Sequence, residues 1–171
     1  IPDYKSKYLD RVIEKVLLLE PEKIIISNFK TKFTSEIELK FKNHKNIKFL
    51  NHANRLNPGD NRNLGAENSF SENLLFLDSD VLINDKTVNF IKEKISDGLK
   101  DDIIYWGRYS EYGNGIFAKI QNQILRYRFS NKFYEVSKNR NKTYFSQASH
   151  FLIKRKTYNQ IGGFSPYLKI K

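Results

Sequence analysis

Three observations predict an α/β fold, a mostly parallel sheet flanked by helices. Ile24-Ile25-Ile26 and similar short runs are apolar on both faces, as strands covered on each side by helices are. Other segments place apolar residues every three or four positions, the period of a helix with one buried stripe. The two patterns alternate along the chain, which is the order that builds strand-helix-strand units.

The elements follow in sequence. Tyr4 to Leu19 carries Tyr8, Leu9, Val12, Ile13, Val16 and Leu19 at helical spacing and stops before Pro21. Lys23 to Ser27 reads as a strand ending at turn-forming Asn28, Thr34 to Phe41 as a short capped helix, and Asn46 to Leu50 as a second strand. Pro58-Gly59 marks a loop, Asn61 to Ser69 a short helix, and Asn73 to Asp78 a third strand. Lys86 to Leu99 repeats Val88, Ile91, Ile95 and Leu99 at helical spacing, and Asp102 to Arg108 returns to strand character. Beyond Ser110 the rhythm breaks. Gly113 to Phe129 reads as an amphipathic basic helix, with Ile116, Phe117, Ile120, Ile124 and Tyr127 among Lys119, Arg126 and Arg128. A polar loop at Asn139 to Lys142, a strand from Ser146 to Ile153 and a helix from Arg155 to Ile161 stopped by Gly162-Gly163 complete the chain. With no repeat and no convincing linker, residues 1–171 are expected to form one domain.

Composition excludes several classes. A chain of 171 residues that is 39% hydrophobic and 14% aromatic can bury a core, so it is not disordered. The absence of cysteine removes disulfide scaffolds, cysteine zinc sites and thiol catalysis. Apolar runs such as Leu74-Leu75-Phe76-Leu77 fall far short of the roughly 20 residues that cross a bilayer. The opening Ile1-Pro2-Asp3-Tyr4 lacks the basic-then-apolar pattern of a signal peptide, and the missing initiator methionine suggests a piece of a longer protein. Net charge is +11, and residues 119–171 hold twelve of the 30 basic residues but only Glu135 among the acids. The excess in the last third suits an anionic nucleotide, a phospholipid surface or nucleic acid, and charge alone does not choose among them.

The sharpest motif is Leu74-Leu75-Phe76-Leu77-Asp78-Ser79-Asp80, an apolar strand ending in two carboxylates one residue apart. Ligands of open α/β sheets bind at the carboxyl ends of strands. Two carboxylates there offer hard oxygen ligands to Mg²⁺ or Mn²⁺, which would bring diphosphate oxygens into its shell. Taken alone, the same residues read equally as a solvated Asp-Ser-Asp turn.

The surrounding motifs decide between these. Ile1-Pro2-Asp3-Tyr4, Gly59-Asp60-Asn61-Arg62-Asn63-Leu64-Gly65, Asp78-Ser79-Asp80 and Gly162-Gly163-Phe164 occur in that order. In this the chain resembles the family 2 glycosyltransferases, the inverting group with the GT-A fold, over nearly its whole length. The resemblance implies a GT-A domain incomplete at both ends, with a donor-binding part over 1–110 and an acceptor-side part over 111–171. It implies a sugar moved from a nucleotide-diphosphate donor, a UDP-sugar first among them, to a glycan or lipid-linked acceptor. Asp80 would bind the metal, and Asp78 would lie near the ribose and metal. Arg62 would pair with phosphate or orient Asp78, its plainer role being that of a surface arginine. Pro2 and Tyr4 would rim the nucleobase pocket, although Tyr4 fits ordinary packing at a helix start as well. Gly162 and Gly163 would carry the acceptor side, and Asn63 and Gly65 would be structural, the glycine for close packing or a positive φ.

Two departures matter. Where the family's second strand ends in a base-reading aspartate, this chain has Ser27-Asn28, and an amide changes the donor and acceptor pattern, which makes uridine less secure. The acidic pair that supplies the family's general base after Gly-Gly-Phe is expected beyond Lys171. His150 offers either a metal ligand or a sugar contact, the commoner role being a hydrogen-bonded core histidine. His44 and His52 read as surface and strand-end residues without partners, and Trp106 as core.

The expected place is the cytoplasm; Gly113 to Phe129 fits peripheral contact at the inner face of the membrane and equally an ordinary solvated helix. A basic nucleic-acid module using Arg126, Tyr127, Arg128, Phe129, Lys132, Phe133 and Tyr134 is the competing class, alongside a non-catalytic relative and a nucleotidyltransferase. No nucleic-acid motif supports the first of these, and no nucleic-acid partner is expected.

Overall fold

Helix α1 (Leu9–Leu17) buries Leu9, Val12, Ile13 and Val16, the stripe its spacing predicts, in a computed structural model of the chain. Residues 1–3, 6–29, 31–54, 56–106, 115–130 and 149–165 are described. The helix starts five residues later than the spacing suggests, because Ser6 is engaged elsewhere. Its hydroxyl accepts from Tyr8 N at 3.1 Å and donates to the Ser79 carbonyl at 2.8 Å, so the chain turns here before it winds.

Strand β1 (Pro2–Asp3) pairs in parallel with β2 (Ile24–Phe29), and β2 in parallel with β3 (Ile47–His52), from Ile24 opposite Ile47 to Phe29 opposite His52. Ile24, Ile25 and Ile26 are all buried, as a strand covered on both faces requires. Between them, α2 (Lys32–Lys40) is capped by Thr31 and not Thr34: Thr34 N donates to Thr31 Oγ1 at 3.2 Å while Thr31 N donates to Thr34 Oγ1 at 2.8 Å. A threonine three residues into the helix thus does what a glutamate usually does in a capping box.

Pro58-Gly59, expected as a loop, opens α3 (Pro58–Glu67). Asn57 Oδ1 accepts from Asp60 N at 2.9 Å, and a proline in the first turn sacrifices no helical hydrogen bond. Helix α4 (Asp85–Ser96) is capped by Asn84 and ends at Gly98, whose φ of 80° is a left-handed stop. Leu99, read as its last apolar position, lies past that stop and remains buried.

The second sheet holds an antiparallel pair within the mostly parallel arrangement. Strand β4 (Asn73–Leu77) runs antiparallel to β6 (His150–Lys154), with Leu77 opposite His150, and β5 (Ile104–Trp106) lies on the other side of β6. The described strands therefore form two three-stranded sheets, β1-β2-β3 wholly parallel and β4-β6-β5 containing an antiparallel pair. Local patterning fixes which residues extend but not which way a strand returns. Helix α6 (Arg155–Gln160) follows directly on β6 and ends at Gly162 and Gly163, with φ of 77° and 69°.

Two compact units are distinguished, residues 1–105 with 148–171, and residues 106–147. In the first, one core joins α1, β2, the end of β4 and α4 through Ile13, Ile26, Leu77 and Val88. Another joins α3, β4, β6 and α6 through Ala66, Phe76, Ile153 and Tyr158. The second unit contains α5 (Ile116–Ser130), where Ile116 and Phe117 are 70% and 81% exposed. Among the described residues no helix is long and apolar enough to cross a membrane.

Replacing the fully buried Ile13 by alanine removes packing between α1 and the sheet. Urea unfolding is expected to show a loss of about 2–5 kcal/mol for Ile13→Ala. On the exposed position Leu39, Leu39→Ala is expected to change stability by less than about 0.5 kcal/mol.

Candidate functional site

Asp78 and Asp80 follow the last residue of β4. The ladder runs one residue beyond the strand, Asp78 N donating to the Ser149 carbonyl at 2.7 Å, which fixes the Asp78 backbone. A turn then closes with Val81 N donating to the Asp78 carbonyl at 3.1 Å, and the Ser6 hydroxyl holds its middle residue, Ser79. Asp78 is thereby partly buried, while Asp80 faces solvent.

Arg62, on α3, donates from Nη2 to Asp78 Oδ1 in a charge-assisted bond. Its side chain is only 8% exposed, so the plain reading of Arg62 as a surface arginine does not hold. Burial pushes the Asp78 carboxyl above its ordinary value of 3.8; the Arg62 charge opposes this, and the negative charge of Asp80 adds to it. The guanidinium thus only partly compensates the desolvation of its partner.

The Gly-Gly-Phe turn meets Arg62 from the other side. The Phe164 ring lies 5.3 Å from the Arg62 guanidinium carbon, a cation-π contact. Asn63, the next residue on α3, clamps that turn: its Oδ1 accepts from Phe164 N at 2.9 Å and from the Tyr158 hydroxyl at 2.6 Å, and its Nδ2 donates to the Phe164 carbonyl at 2.8 Å. A Cβ on Gly163 would come within 2.9 Å of Asn63 Oδ1 and of the Tyr158 hydroxyl, so the glycine is required here both for its φ and for space. Gly65, assigned to close packing or a positive φ, shows neither: its φ is not left-handed and an added Cβ would meet nothing within 4 Å.

A buried polar chain runs behind Arg62. The Ser27 hydroxyl donates to Asn61 Oδ1 at 3.0 Å and lies 2.9 Å from His52 Nε2, so with its proton committed it accepts from the imidazole. His52, read as a residue without partners, is therefore tied to the end of β2, and His44 packs its ring 5.7 Å from that of Phe41. Asn28, beside Ser27, is fully buried, and neither its amide oxygen nor its amide nitrogen has a hydrogen-bond partner among the described residues. Such atoms are nearly always paired in folded proteins.

The structure thus brings Arg62, Asp78 and the Gly162-Gly163-Phe164 turn together, with Asp80 at the rim. His150 is buried opposite Leu77, with Nδ1 3.1 Å from Ser149 Oγ. Pro2 belongs to β1 by its backbone, and Asp3 pairs with Asn28. Tyr4 lies outside the described residues, as do Gly107 to Gly113 and the proposed basic cluster at Lys132 to Tyr134. Sequence reasoning missed Ser27, Asn61 and His52; an asparagine directly preceding the singled-out Arg62 was the one signal that could have drawn attention to it.

Among the described residues no group of three or more histidine, aspartate or glutamate side chains gathers in one place. Two hard carboxylates are nevertheless a fitting donor set for Mg²⁺ or Mn²⁺, which commonly takes one or two carboxylates and completes its shell with phosphate and water. The mutual repulsion of Asp78 and Asp80 is the electrostatic condition such a cation would relieve.

Comparison with solved structures gives the fold. Staphylococcus aureus TarS, residues 1–349, matches with a TM-score of 0.55 and 24% identity, over 67% of this chain and 36% of that one. The mannosyltransferase PcManGT of Pyrobaculum calidifontis, solved in complex with GDP-Man and Mn²⁺, matches with a TM-score of 0.65 and 12% identity, over 96% of this chain and 46% of that one. The chain thus spans less than half the length of either, and both share its GT-A architecture. No curated protein sequence matches it. The sequence profile of glycosyl transferase family 2 matches residues 1–162, nearly the whole chain, and the chain belongs to that family.

Proposed function

We propose that the chain is the donor-binding and acceptor-facing part of a metal-dependent inverting glycosyltransferase, moving a sugar from a nucleoside-diphosphate donor to a glycan or lipid-linked acceptor. The observation that carries this reading is the partly buried Asp78 held by Arg62, with Asp80 beside it at the carboxyl end of β4.

In this reading Asp78 and Asp80 would hold Mn²⁺ or Mg²⁺, which when bound neutralises the diphosphate as a Lewis acid. Arg62 engages Asp78 through Oδ1, so the second carboxylate oxygen is the one offered to ribose or ion. Asn28 offers its unpartnered amide to a base edge, and Pro2 and Tyr4 form the rim of that pocket; the pairing of Asp3 with Asn28 supports this by bringing β1 alongside. A UDP-sugar is the first donor to test. GDP is the second, since Asn28 departs from the family's aspartate and the P. calidifontis relative was solved with GDP-Man. On the acceptor side, Gly162 and Gly163 shape the turn that Asn63 fixes, and His150 serves as a hydrogen-bonding residue beside the strand end. The basic last third and the exposed Ile116 and Phe117 of α5 support an acceptor presented at the inner face of the membrane, reached from the cytoplasm.

Calorimetric titration with UDP and GDP, with and without Mn²⁺, tests the metal assignment. Mn²⁺ is expected to raise the affinity for one of them about tenfold or more, and Asp80→Asn to abolish that increment while leaving the metal-free affinity unchanged. An unchanged increment in Asp80→Asn would refute the assignment. Salt-sensitive oligonucleotide binding without nucleotide binding would favour a nucleic-acid module instead.

Asp78 also predicts a pH dependence. Burial and Asp80 raise its titration midpoint above 3.8, and a protonated carboxyl cannot ligate the ion, so metal-dependent affinity should fall as pH drops through that raised midpoint. Removing the neighbouring charge stabilises the ionised form. NMR titration should therefore place the Asp78 midpoint above 3.8, and lower in Asp80→Asn than in the parent.

A further inference from the structure

Asp78, Ser79, Asp80 and Val81 form a four-residue turn, closed by Val81 N donating to the Asp78 carbonyl at 3.1 Å. Both ends of this turn are fixed. Asp78 N donates to the Ser149 carbonyl at 2.7 Å, and Val81 and Leu82 pack against the core that contains Val12 and Ile13. The freedom that remains is rotation of the central peptide, between Ser79 and Asp80, and that rotation is what separates a type I from a type II turn.

The same rotation decides where Asp80 stands. A type II turn requires a positive φ at its third residue, and the φ of Asp80 is not positive, so the turn has the type I sense. Aspartate is one of the few residues besides glycine that enter the left-handed region at modest cost. Backbone preference alone therefore holds Asp80 only weakly, and its exposed side chain adds no burial to the balance.

Ser6, in the segment between β1 and α1, supplies the missing restraint. Its Oγ donates to the Ser79 carbonyl at 2.8 Å, across 73 residues of chain, and accepts from Tyr8 N at 3.1 Å. A hydroxyl has one proton, and here it is committed to the carbonyl of the central peptide. The start of α1 anchors the hydroxyl, and the hydroxyl anchors the peptide plane. A flip of that plane would turn the carbonyl away from Ser6 at a residue only 8% exposed, forfeiting a bond that water does not readily replace.

We propose that Ser6 is a positioning residue of the metal site: its hydroxyl locks the Ser79–Asp80 peptide in the type I orientation and so sets the direction from which Asp80 joins Asp78. This role rests on the reading of Asp80 as a ligand of Mn²⁺ or Mg²⁺. Mg²⁺ in particular tolerates little departure from octahedral geometry, so a carboxylate on a turn free to flip would make a poor ligand.

Two measurements on the 171-residue chain test it. In the metal-free protein, a type I turn places the Ser79 and Asp80 amide protons close together, whereas a type II turn places the Asp80 amide proton against the Ser79 α-proton. Nuclear Overhauser spectra of the parent and of Ser6→Thr are expected to show the amide–amide contact, and those of Ser6→Ala to exchange part or all of it for the α-proton contact. Calorimetry with UDP and GDP is expected to show the Mn²⁺-dependent gain in affinity reduced about threefold or more in Ser6→Ala and restored in Ser6→Thr. Ser6→Cys, whose thiol is a weak donor, replaces the alanine variant if that one does not fold. An amide–amide contact unchanged in Ser6→Ala would overturn the lock, whatever happens to Tm. A Mn²⁺-dependent gain that survives Ser6→Ala intact, or that threonine does not restore, would overturn the part of Ser6 in the metal site. If the parent itself shows no such gain, the metal assignment of Asp80 fails, and the spectra still decide whether Ser6 holds the turn.

Discussion

Arg62 and Asp78 leave water together, and the surrounding architecture follows from that. Withdrawing a guanidinium and a carboxylate from solvent costs several kcal/mol per ion, and their attraction offsets this only where the geometry is fixed by other contacts. The contacts are present on every side. Helix α3 carries Arg62 and is set by its Asn57 cap, the β4–β6 ladder fixes the Asp78 backbone, and the Phe164 ring packs against the guanidinium. Compensation is still incomplete, since burial raises the Asp78 carboxyl despite its partner. Asp78 is thus held by its partner without being fully compensated, and the solvent-facing Asp80 beside it adds to the imbalance.

Much of this was legible in the sequence, for identifiable reasons. The triple isoleucine of β2 and the stripe of α1 are local signals, and both formed as their patterns require. The Asp-Ser-Asp strand end and Arg62 were identified by type and order along the chain, and the fold brought Arg62 onto Asp78. What failed was non-local or depended on one hydrogen bond. The late start of α1 depends on a serine hydroxyl captured by a turn some seventy residues away. The start of α3 depends on Asn57, whose capping role is invisible when Pro58-Gly59 is read as a breaker. His52 looked isolated because its partner, Ser27, is on a different strand.

The two sides of the site are unequal in how they are held. On the side proposed for the nucleotide, buried polar atoms lack partners among the described residues, in Asn28 and in Arg62 Nε. On the side proposed for the acceptor, Asn63 is saturated by the Gly163-Phe164 turn and the Tyr158 hydroxyl, whose acidity is suppressed to a pKa of about 12, first by burial. Rigid support next to under-satisfied polar groups is the arrangement expected where a ligand, and not the protein, completes the hydrogen bonding.

The clamp made by Asn63 also constrains the order of assembly. Its partners on Phe164 stand 101 residues away along the chain, so the clamp is among the contacts of longest sequence separation in the molecule. Contacts of that span form only after the entropy of closing the loop has been met by others. During synthesis Arg62 and Asp78, sixteen residues apart, can meet long before the ribosome has released the turn that braces them. The Arg62–Asp78 pair can thus meet before the turn that braces it has emerged.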